Sequence, residues 1–270
     1  MTFKAVLTHV ADDPAAPARL RMAESVARRL GAELIGVGAQ APWPYANADG
    51  GGAAFEALVE SAEKGIAASE QLFRERLAGS GIATSWRSEV GYPDLVLPRL
   101  ACAADLVLGY RTSGDLDRSL QAAPDSLVME SGLPLLLMPA EETAFLGEAV
   151  LVAWKNTRET RRALSAALPL IKRARRVLVA AVCREPEVAA AEAELAEVAR
   201  RLARHGVTAV TLAEAASGPT GERLRRLAET DRSDLIVAGA YGHSRLREWV
   251  LGGVTRTLIA EARPYVFLSH

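Results

Sequence analysis

The chain repeats one order of sequence elements twice, and this duplication restricts its fold more than any other feature. Near the start, residues 4–10 read KAVLTHV, and near the middle, residues 148–154 read EAVLVAW. Each run is short, apolar and rich in β-branched residues, and each precedes a polar turn and a helix-like stretch. The pattern predicts that each half begins with a buried strand followed by a helix.

The later segments of the two halves correspond in the same order. A second apolar run, a long alanine-rich amphipathic segment ending at a glycine, and three further apolar runs follow in each half. The matching pairs are 32–39 with 176–182, 53–78 with 187–204, IATSWRSEV with VTAVTLAEA, 104–109 with 233–239, and SGLPLLLMP with EARPYVFLSH. Each half is therefore predicted to alternate five strands with four helices.

This alternation predicts the fold class. Strands that are apolar throughout and bounded by turns are typical of sheets covered on both faces, and a βαβα order indicates a parallel, doubly wound sheet. We therefore expect an α/β protein with two tandem, five-stranded, Rossmann-like domains, at 1–141 and 147–270. The short segment EETAFLGE predicts packed halves, with the last strands, 133–138 and 265–269, covering each other's edges by antiparallel pairing.

Charge and hydropathy exclude several classes of protein. A net charge of −1 does not resemble the basic balance of a general nucleic-acid binder. No apolar run approaches the roughly 20 residues of a membrane helix, and the opening MTFKAVLTHV reads as a strand and not as a signal peptide. The two cysteines are far apart, which argues against a disulfide framework or a zinc cluster. We expect a cytoplasmic protein with no nucleic-acid or membrane partner.

Common catalytic motifs are absent from the sequence. It contains no GxxxxGK[ST] loop, no GxGxxG after the first strand, no GxSxG and no HExxH. No nucleophile, base and orienting group can be assembled from the pattern. The sequence therefore assigns no catalytic residue and no metal ligand.

A glycine-rich loop follows the fourth strand of the second half. In doubly wound sheets, ligands bind beyond the carboxyl ends of the strands, where the strand order reverses. Gly239 and Gly242 are separated by two residues, and Gly252 and Gly253 directly precede a helix-like stretch that starts near Val254. Glycines let a backbone approach a ligand closely, and the free N–H groups of a helix N-terminus favour an anion. The loop therefore predicts a phosphate site.

The spacing Gly, two residues, Gly, nine residues, Gly resembles the signature of the universal stress protein family, and the element order of both halves is similar to its tandem members. The resemblance implies HUP-type domains forming a pseudo-dimer and a stress-response role. It also implies ATP or a related adenine nucleotide, with or without Mg²⁺, held in the second half. Some relatives hydrolyse ATP weakly. Association of two chains as a homodimer is left open.

The resemblance also implies a set of nucleotide-binding residues at the strand ends and in the glycine loop. They are Ala153, Lys155, Asn156, Val182, Gly239, Gly242, His243, Gly252, Gly253, Val254 and Thr255. For two of them the residue type leaves a second interpretation open. His243 either donates to a phosphate or braces the loop, and Lys155 either contacts a phosphate or is simply solvated.

The chain departs from the family pattern in three ways, of which two lie in the second half and the third is the first half's lack of the glycine loop. Gly253 stands where the family has a Ser or Thr, so a side-chain hydroxyl is lost, and Thr255 is the candidate replacement. Nucleotide-binding members usually carry an Asp after the first strand, and here Lys155 or Asn156 stands near that position. These departures favour the alternative of a nucleotide-free scaffold. A third alternative with less support is an enzyme that uses an adenine nucleotide, which would need an acidic or His-based catalytic signature that the sequence does not show.

The first half lacks the glycine loop altogether. After Gly109 the sequence continues YRTSGDLDRSLQAAP, without paired glycines before the next helix. Its first strand ends in THVADD, where Asp12 or Asp13 is a candidate for the family's Asp, and His9 is expected to make a structural hydrogen bond. We therefore interpret the first half as a degenerate copy that does not bind ATP.

Overall fold

The chain folds into two compact units. The structure, a computed structural model, describes residues 2–42, 52–111, 117, 119–216, 218–241, 253–261 and 263–270. The N-terminal unit consists of Phe3–Leu133 and Ala140–Ala144, and the C-terminal unit consists mainly of Pro134–Pro139 and Phe145–His270.

The N-terminal unit has a four-stranded parallel sheet in the order β3-β2-β1-β4. Its elements are β1 (Ala5–His9), α1 (Ala16–Leu30), β2 (Glu33–Gln40), α2 (Gly52–Leu77), β3 (Thr84–Val90), α3 (Pro93–Leu100), β4 (Leu106–Tyr110) and α4 (Pro124–Glu130). The central strands are buried, as their unbroken apolar runs predict. Helix α1 ends at Gly31, whose φ of 66° is the left-handed conformation that glycine adopts without strain.

The C-terminal unit has six strands in the order β5-β10-β9-β6-β7-β8. Its elements are β5 (Leu135–Met138), β6 (Ala149–Ala153), α5 (Arg158–Ile171), β7 (Arg176–Cys183), α6 (Val188–Ala203), β8 (Val210–Ala215), α7 (Thr220–Thr230), β9 (Leu235–Gly239), α8 (Gly253–Glu261) and β10 (Tyr265–Ser269). Strand β5 comes from the first half of the sequence but lies in this unit.

Strands β5 and β10 pair antiparallel, with Leu137 opposite Val266, and every other strand pair in this unit is parallel. The predicted antiparallel pairing of the two last strands is therefore confirmed. Phe145, within the predicted linker, is buried and packs edge-on against Tyr265 of β10 with ring centroids 4.9 Å apart. The linker segment thus contributes to the core of the C-terminal unit.

The strand order reverses beside β6. The chain runs outward from β6 through β7 to β8 and then returns to β9 on the other side of β6. Because crossovers between parallel strands are right-handed as a rule, we expect α5 and α6 to cover one face of the sheet and α7 and α8 the other. The observed packing agrees, since α5 contacts β9 and β10 while α7 contacts α8. The α/β fold class is confirmed, and its switch point lies at the carboxyl ends of β6 and β9.

Candidate functional site

A cleft of about 210 Å³ opens at this switch point of the C-terminal unit. It lies between the ends of β6, β7 and β9 and the first turns of α5, α7 and α8. Seven of the residues predicted from the sequence line it, namely Ala153, Lys155, Val182, Gly239, Gly253, Val254 and Thr255. Three more predicted residues, Gly242, His243 and Gly252, lie outside the described residues.

Asn156 is placed away from the cleft. Its side-chain amide donates to Oε1 of Glu194 at 3.1 Å, and its carbonyl oxygen accepts from Arg161 at 2.7 Å. Glu194 also accepts a hydrogen bond from the indole of Trp154, at 3.4 Å. Asn156 therefore connects α5 to α6 outside the cleft. Lys155 lies at the mouth of the cleft, and its side chain is exposed.

Gly239 has a packing role at the base of the cleft. A side-chain carbon at this position would lie 2.5 Å from the backbone nitrogen of Thr160 and 2.8 Å from the carbonyl carbon of Glu159. Only a residue without a Cβ allows the first turn of α5 to lie this close to the end of β9. Gly239 is thus required by the fold, whatever the cleft binds.

The first turn of α5 brings polar groups into the cleft. Thr157 caps the helix, and its hydroxyl oxygen accepts from the backbone N–H of Thr160 at 3.3 Å. Glu159, two residues after the cap, is only 1% exposed, and one of its oxygens pairs with Nε of Arg158. Sequence reasoning missed these residues as candidates for the site, although an acid beside a Thr cap is a recognisable helix start.

Glu159 carries its negative charge into the cleft. Burial acts to raise the pKa of this carboxyl. The hydrogen bond from Arg158, weaker interactions with its own backbone N–H and with Thr157, and the charge of Arg158 together outweigh burial and hold the pKa below its ordinary value. The side chain is therefore a carboxylate at neutral pH.

The first turn of α8 forms the opposite wall. Thr255 is 4% exposed, and its hydroxyl oxygen accepts from the backbone N–H of Tyr241 at 3.5 Å. This bond connects the start of α8 to the start of the loop that follows β9, and the hydroxyl hydrogen of Thr255 can still be donated. A side-chain carbon at Gly253 would meet no described atom within 4 Å, so packing among the described residues does not demand glycine there.

The N-terminal unit fills the matching position with its own side chains. By strand register, Val6 and Leu106 pair as Val150 and Leu235 do, so His9 corresponds to Ala153 and Tyr110 to Gly239. Nε2 of His9 lies 3.0 Å from the carbonyl oxygen of Ala39 and Nδ1 lies 3.3 Å from the hydroxyl of Tyr110. The structural hydrogen bond expected for His9 is confirmed.

Arg19 is the third side chain that fills this position in the N-terminal unit. Its guanidinium lies 4.0 Å from the centroid of the Tyr110 ring and pairs with Asp13 at 2.5 Å. The space left beside Thr8, His9 and Arg19 is too small for a water molecule. We call His9, Arg19 and Tyr110 the N-terminal plug. Asp13, one of the two candidates for the family's Asp, is committed to Arg19.

Burial has a large effect on the titration of the plug. It lowers the pKa of His9 to about 4, with the nearby charge of Arg19 acting in the same direction against the hydrogen bond to Ala39. Burial also raises the pKa of the Tyr110 hydroxyl. At neutral pH the plug therefore contains a neutral imidazole and a neutral phenol beside one ion pair.

The part of the chain that the structure describes offers no group of three or more His, Cys, Asp or Glu that could hold a metal ion. Cys102 and Cys183 are free thiols. None of the helices in this described part is long and apolar enough to cross a membrane.

Comparison with known proteins identifies the fold. A universal stress protein from Archaeoglobus fulgidus DSM 4304 is 14% identical, with 98% of this chain and 97% of that chain covered and a TM-score of 0.76. A functionally unknown protein from Pseudomonas aeruginosa PAO1 is 15% identical, with 99% and 92% covered and a TM-score of 0.66. The sequence matches no protein-family model and no curated protein. The chain has the universal stress protein fold along nearly its whole length, which confirms the resemblance at the level of fold.

Proposed function

We propose that the C-terminal unit binds ATP or a related adenine nucleotide in the switch-point cleft, and that the protein is a stress-response binding protein rather than an enzyme. One observation carries the proposal. The first turn of α8, Lys155 and the small strand-end residues Ala153 and Gly239, which are far apart in the sequence, line one open cleft. The stress-response role rests on the shared fold and on the glycine spacing of the loop.

The walls of the cleft suit the parts of a nucleotide. The first N–H groups of a helix have no intrahelical partner, so the start of α8 can donate to phosphate oxygens. Lys155 supplies a positive charge at the mouth. Val182 and Leu224 offer apolar surface on which a base can pack. The residues present therefore fit a nucleotide with its phosphates toward α8, and a bound Mg²⁺ would neutralise phosphate charge.

Gly253 provides the most direct test. Gly253→Asp places a carboxylate at the start of α8, where it stabilises the helix but repels a phosphate. Gly253→Ser places a hydroxyl there, which can donate to the same phosphate. Neither side-chain carbon meets a described atom within 4 Å, so both variants should fold. We expect the Asp variant to lose nucleotide binding and the Ser variant to bind more tightly.

Thermal unfolding with ATP and Mg²⁺ gives the readout. Ligand at a hundred times its Kd stabilises a protein by about 2.7 kcal/mol, which shifts Tm by several degrees at about 2–4 °C per kcal/mol. Wild-type protein and the Ser variant should show the shift, and the Asp variant should not. An equal shift in all three would place the nucleotide elsewhere, and no shift in wild type would exclude the proposal.

A nucleotide-free scaffold is the second candidate. It is favoured by Glu159, whose buried carboxylate adds a negative charge to the wall of a cleft proposed to hold an anion. A denatured extract of the purified protein that contains no nucleotide, together with no thermal shift, would support it. Steady ADP production would instead indicate an enzyme.

The domain boundaries, the pseudo-dimer, the cytoplasmic location and homodimerisation stay predictions.

A further inference from the structure

Glu159 has a property that binding of phosphate does not explain. One of its two carboxylate oxygens pairs with Nε of Arg158. The other, Oε2, is fully buried and has no hydrogen-bond donor among the residues that the structure describes. The side chain is 2% exposed and lines the cleft. A buried charged oxygen without a donor is costly, so such groups in folded proteins are normally satisfied by a ligand, an ion or water.

The charges around the cleft limit what can satisfy Oε2. Among the described lining residues only Lys155 is cationic and only Glu159 is anionic. The phosphates of a nucleotide carry acceptor oxygens and negative charge, so they cannot satisfy a carboxylate. The part of the ligand that lies against the start of α5 must therefore present a hydrogen-bond donor.

The position of Glu159 indicates which part of a nucleotide that is. The absence of a Cβ at Gly239 allows the first turn of α5 to lie directly against the end of β9, at the sheet's switch point. The start of α8, where the phosphates would bind, lies on the opposite face of the sheet, and the apolar surface for a base lies at Val182 and Leu224. The sugar connects the base to the phosphates, and its hydroxyls are donors for which carboxylates are common acceptors in nucleotide sites.

We propose that the Glu159 carboxylate turns to present Oε2 to the cleft when a nucleotide binds and accepts a hydrogen bond from a ribose hydroxyl, so that this carboxylate makes the site specific for ribonucleotides. The inference rests on the proposed nucleotide function and adds to it the specificity-determining residue. A carboxylate at this place also orients the ligand, because it attracts the hydroxyl edge of the sugar and repels the phosphates toward α8 and Lys155.

The experiment compares two ligands that differ only in the sugar. Isothermal titration calorimetry of the full chain gives the Kd of ATP and of 2′,3′-dideoxy-ATP, for wild type and for Glu159→Ala. A hydrogen bond to a charged group affects affinity by roughly tenfold or more. Wild type should therefore prefer ATP by about tenfold or more, and Glu159→Ala should bind the two ligands almost equally. Glu159→Gln keeps one acceptor oxygen without the charge and should show an intermediate preference.

Glu222→Ala is the matched control. Glu222 is also an acid in the first turn of a helix, α7, but it pairs with Arg226 and does not line this cleft. Its exchange should leave the preference for ATP unchanged. Thermal melts of all variants without ligand establish that they are folded.

The outcomes separate this inference from the proposed function. Binding of ATP with no preference over the dideoxy compound, or a preference that survives in Glu159→Ala, would overturn the role of Glu159 while leaving nucleotide binding intact. A loss of Mg²⁺ dependence in Glu159→Ala without a change in sugar preference would assign Oε2 to a cation and also overturn it. No binding of either compound to wild type would overturn both proposals.

Discussion

The two units carry side chains of opposite size at the same places in their sheets. The strand ends that hold His9 and Tyr110 in the N-terminal unit hold Ala153 and Gly239 in the C-terminal unit. Arg19 of α1 adds a third long side chain beside His9 and Tyr110 in the N-terminal unit. One unit is therefore plugged and the other open. A switch-point cleft is thus a property of a few side chains and is not guaranteed by the fold alone.

The second difference between the two units concerns the partners of their buried polar groups. The plug pairs its charged and titratable groups within the unit, because His9 bonds to Ala39 and Tyr110 while Arg19 pairs with Asp13. Among the described residues of the plug, Nε of Arg19 is buried without a hydrogen-bond partner. In the C-terminal unit the described residues leave Oε2 of Glu159 without a donor. The N-terminal unit thus pairs the charge of Arg19 with Asp13 and leaves no space beside it for a ligand, whereas the open cleft has a charged oxygen of Glu159 that a ligand can satisfy.

The largest expected effect is a sensitivity of the plug to acid. The pKa of His9 is about 4 in the folded unit against 6.5 in the unfolded chain, so between these values only the unfolded chain takes up the proton. The contribution of neutral His9 to the free energy of unfolding is fully present above pH 6.5 and is lost as the pH falls toward 4. The loss amounts to at most about 3 kcal/mol. The lowered pKa of Asp13 acts in the same direction at still lower pH.

Hydrogen exchange measures this effect for each unit separately. Amides of β1 and α1 should lose protection between pH 7 and pH 4.5, after correction for intrinsic exchange, more than those of β6 and α5. His9→Gln should flatten the pH dependence in the N-terminal unit. His205→Gln, at an exposed position, is the control and should not. Equal loss of protection in the two units would contradict the comparison.

A smaller effect is expected from adding a side-chain carbon at the end of β9 in the C-terminal unit. Gly239→Ala forces a carbon to within 2.5 Å of the Thr160 nitrogen, so α5 must move away from β9. Overpacking of this kind costs about 1–3 kcal/mol. Gly253→Ala, whose side-chain carbon has open space, is the matched control and should change the stability by less than about 0.5 kcal/mol. Urea unfolding checks both, and equal stabilities would show that Gly239 is not required by packing.

The smallest expected effect comes from the cap of α5. Thr157→Ala removes the acceptor for the Thr160 N–H and should cost about 1 kcal/mol. Because Glu159 lies in the same turn, the variant should also weaken nucleotide binding. Helix α1 has no side-chain cap on its first turn, so Ala15→Gly at its N-cap is the counterpart and should change stability only slightly. A Thr157→Ala variant as stable as wild type would show that the cap does not hold this turn.

Much of the fold could be predicted because it depends on local pattern. Apolar runs and helical periodicity lie within each segment, and repetition of the segments identified two α/β halves. The antiparallel pairing of β5 and β10 followed from the same reasoning, since apolar edges need cover. Part of the site could also be located, because the end of β6 and the glycines after β9 must meet at a switch point.

The remaining features depend on how distant segments pack. The sequence places Glu159 in a helix and Asn156 in a loop, but the crossover from β6 to α5 decides that Glu159 enters the cleft while Asn156 bonds to Glu194 outside it. The plug likewise brings together His9, Arg19 and Tyr110 from three elements. By itself, the sequence determined the duplicated architecture and the place of the cleft, because periodicity is local. Only the tertiary structure decided which side chains fill the switch point of the first half and which charge lines the cleft of the second, because those depend on contacts between residues far apart in the chain.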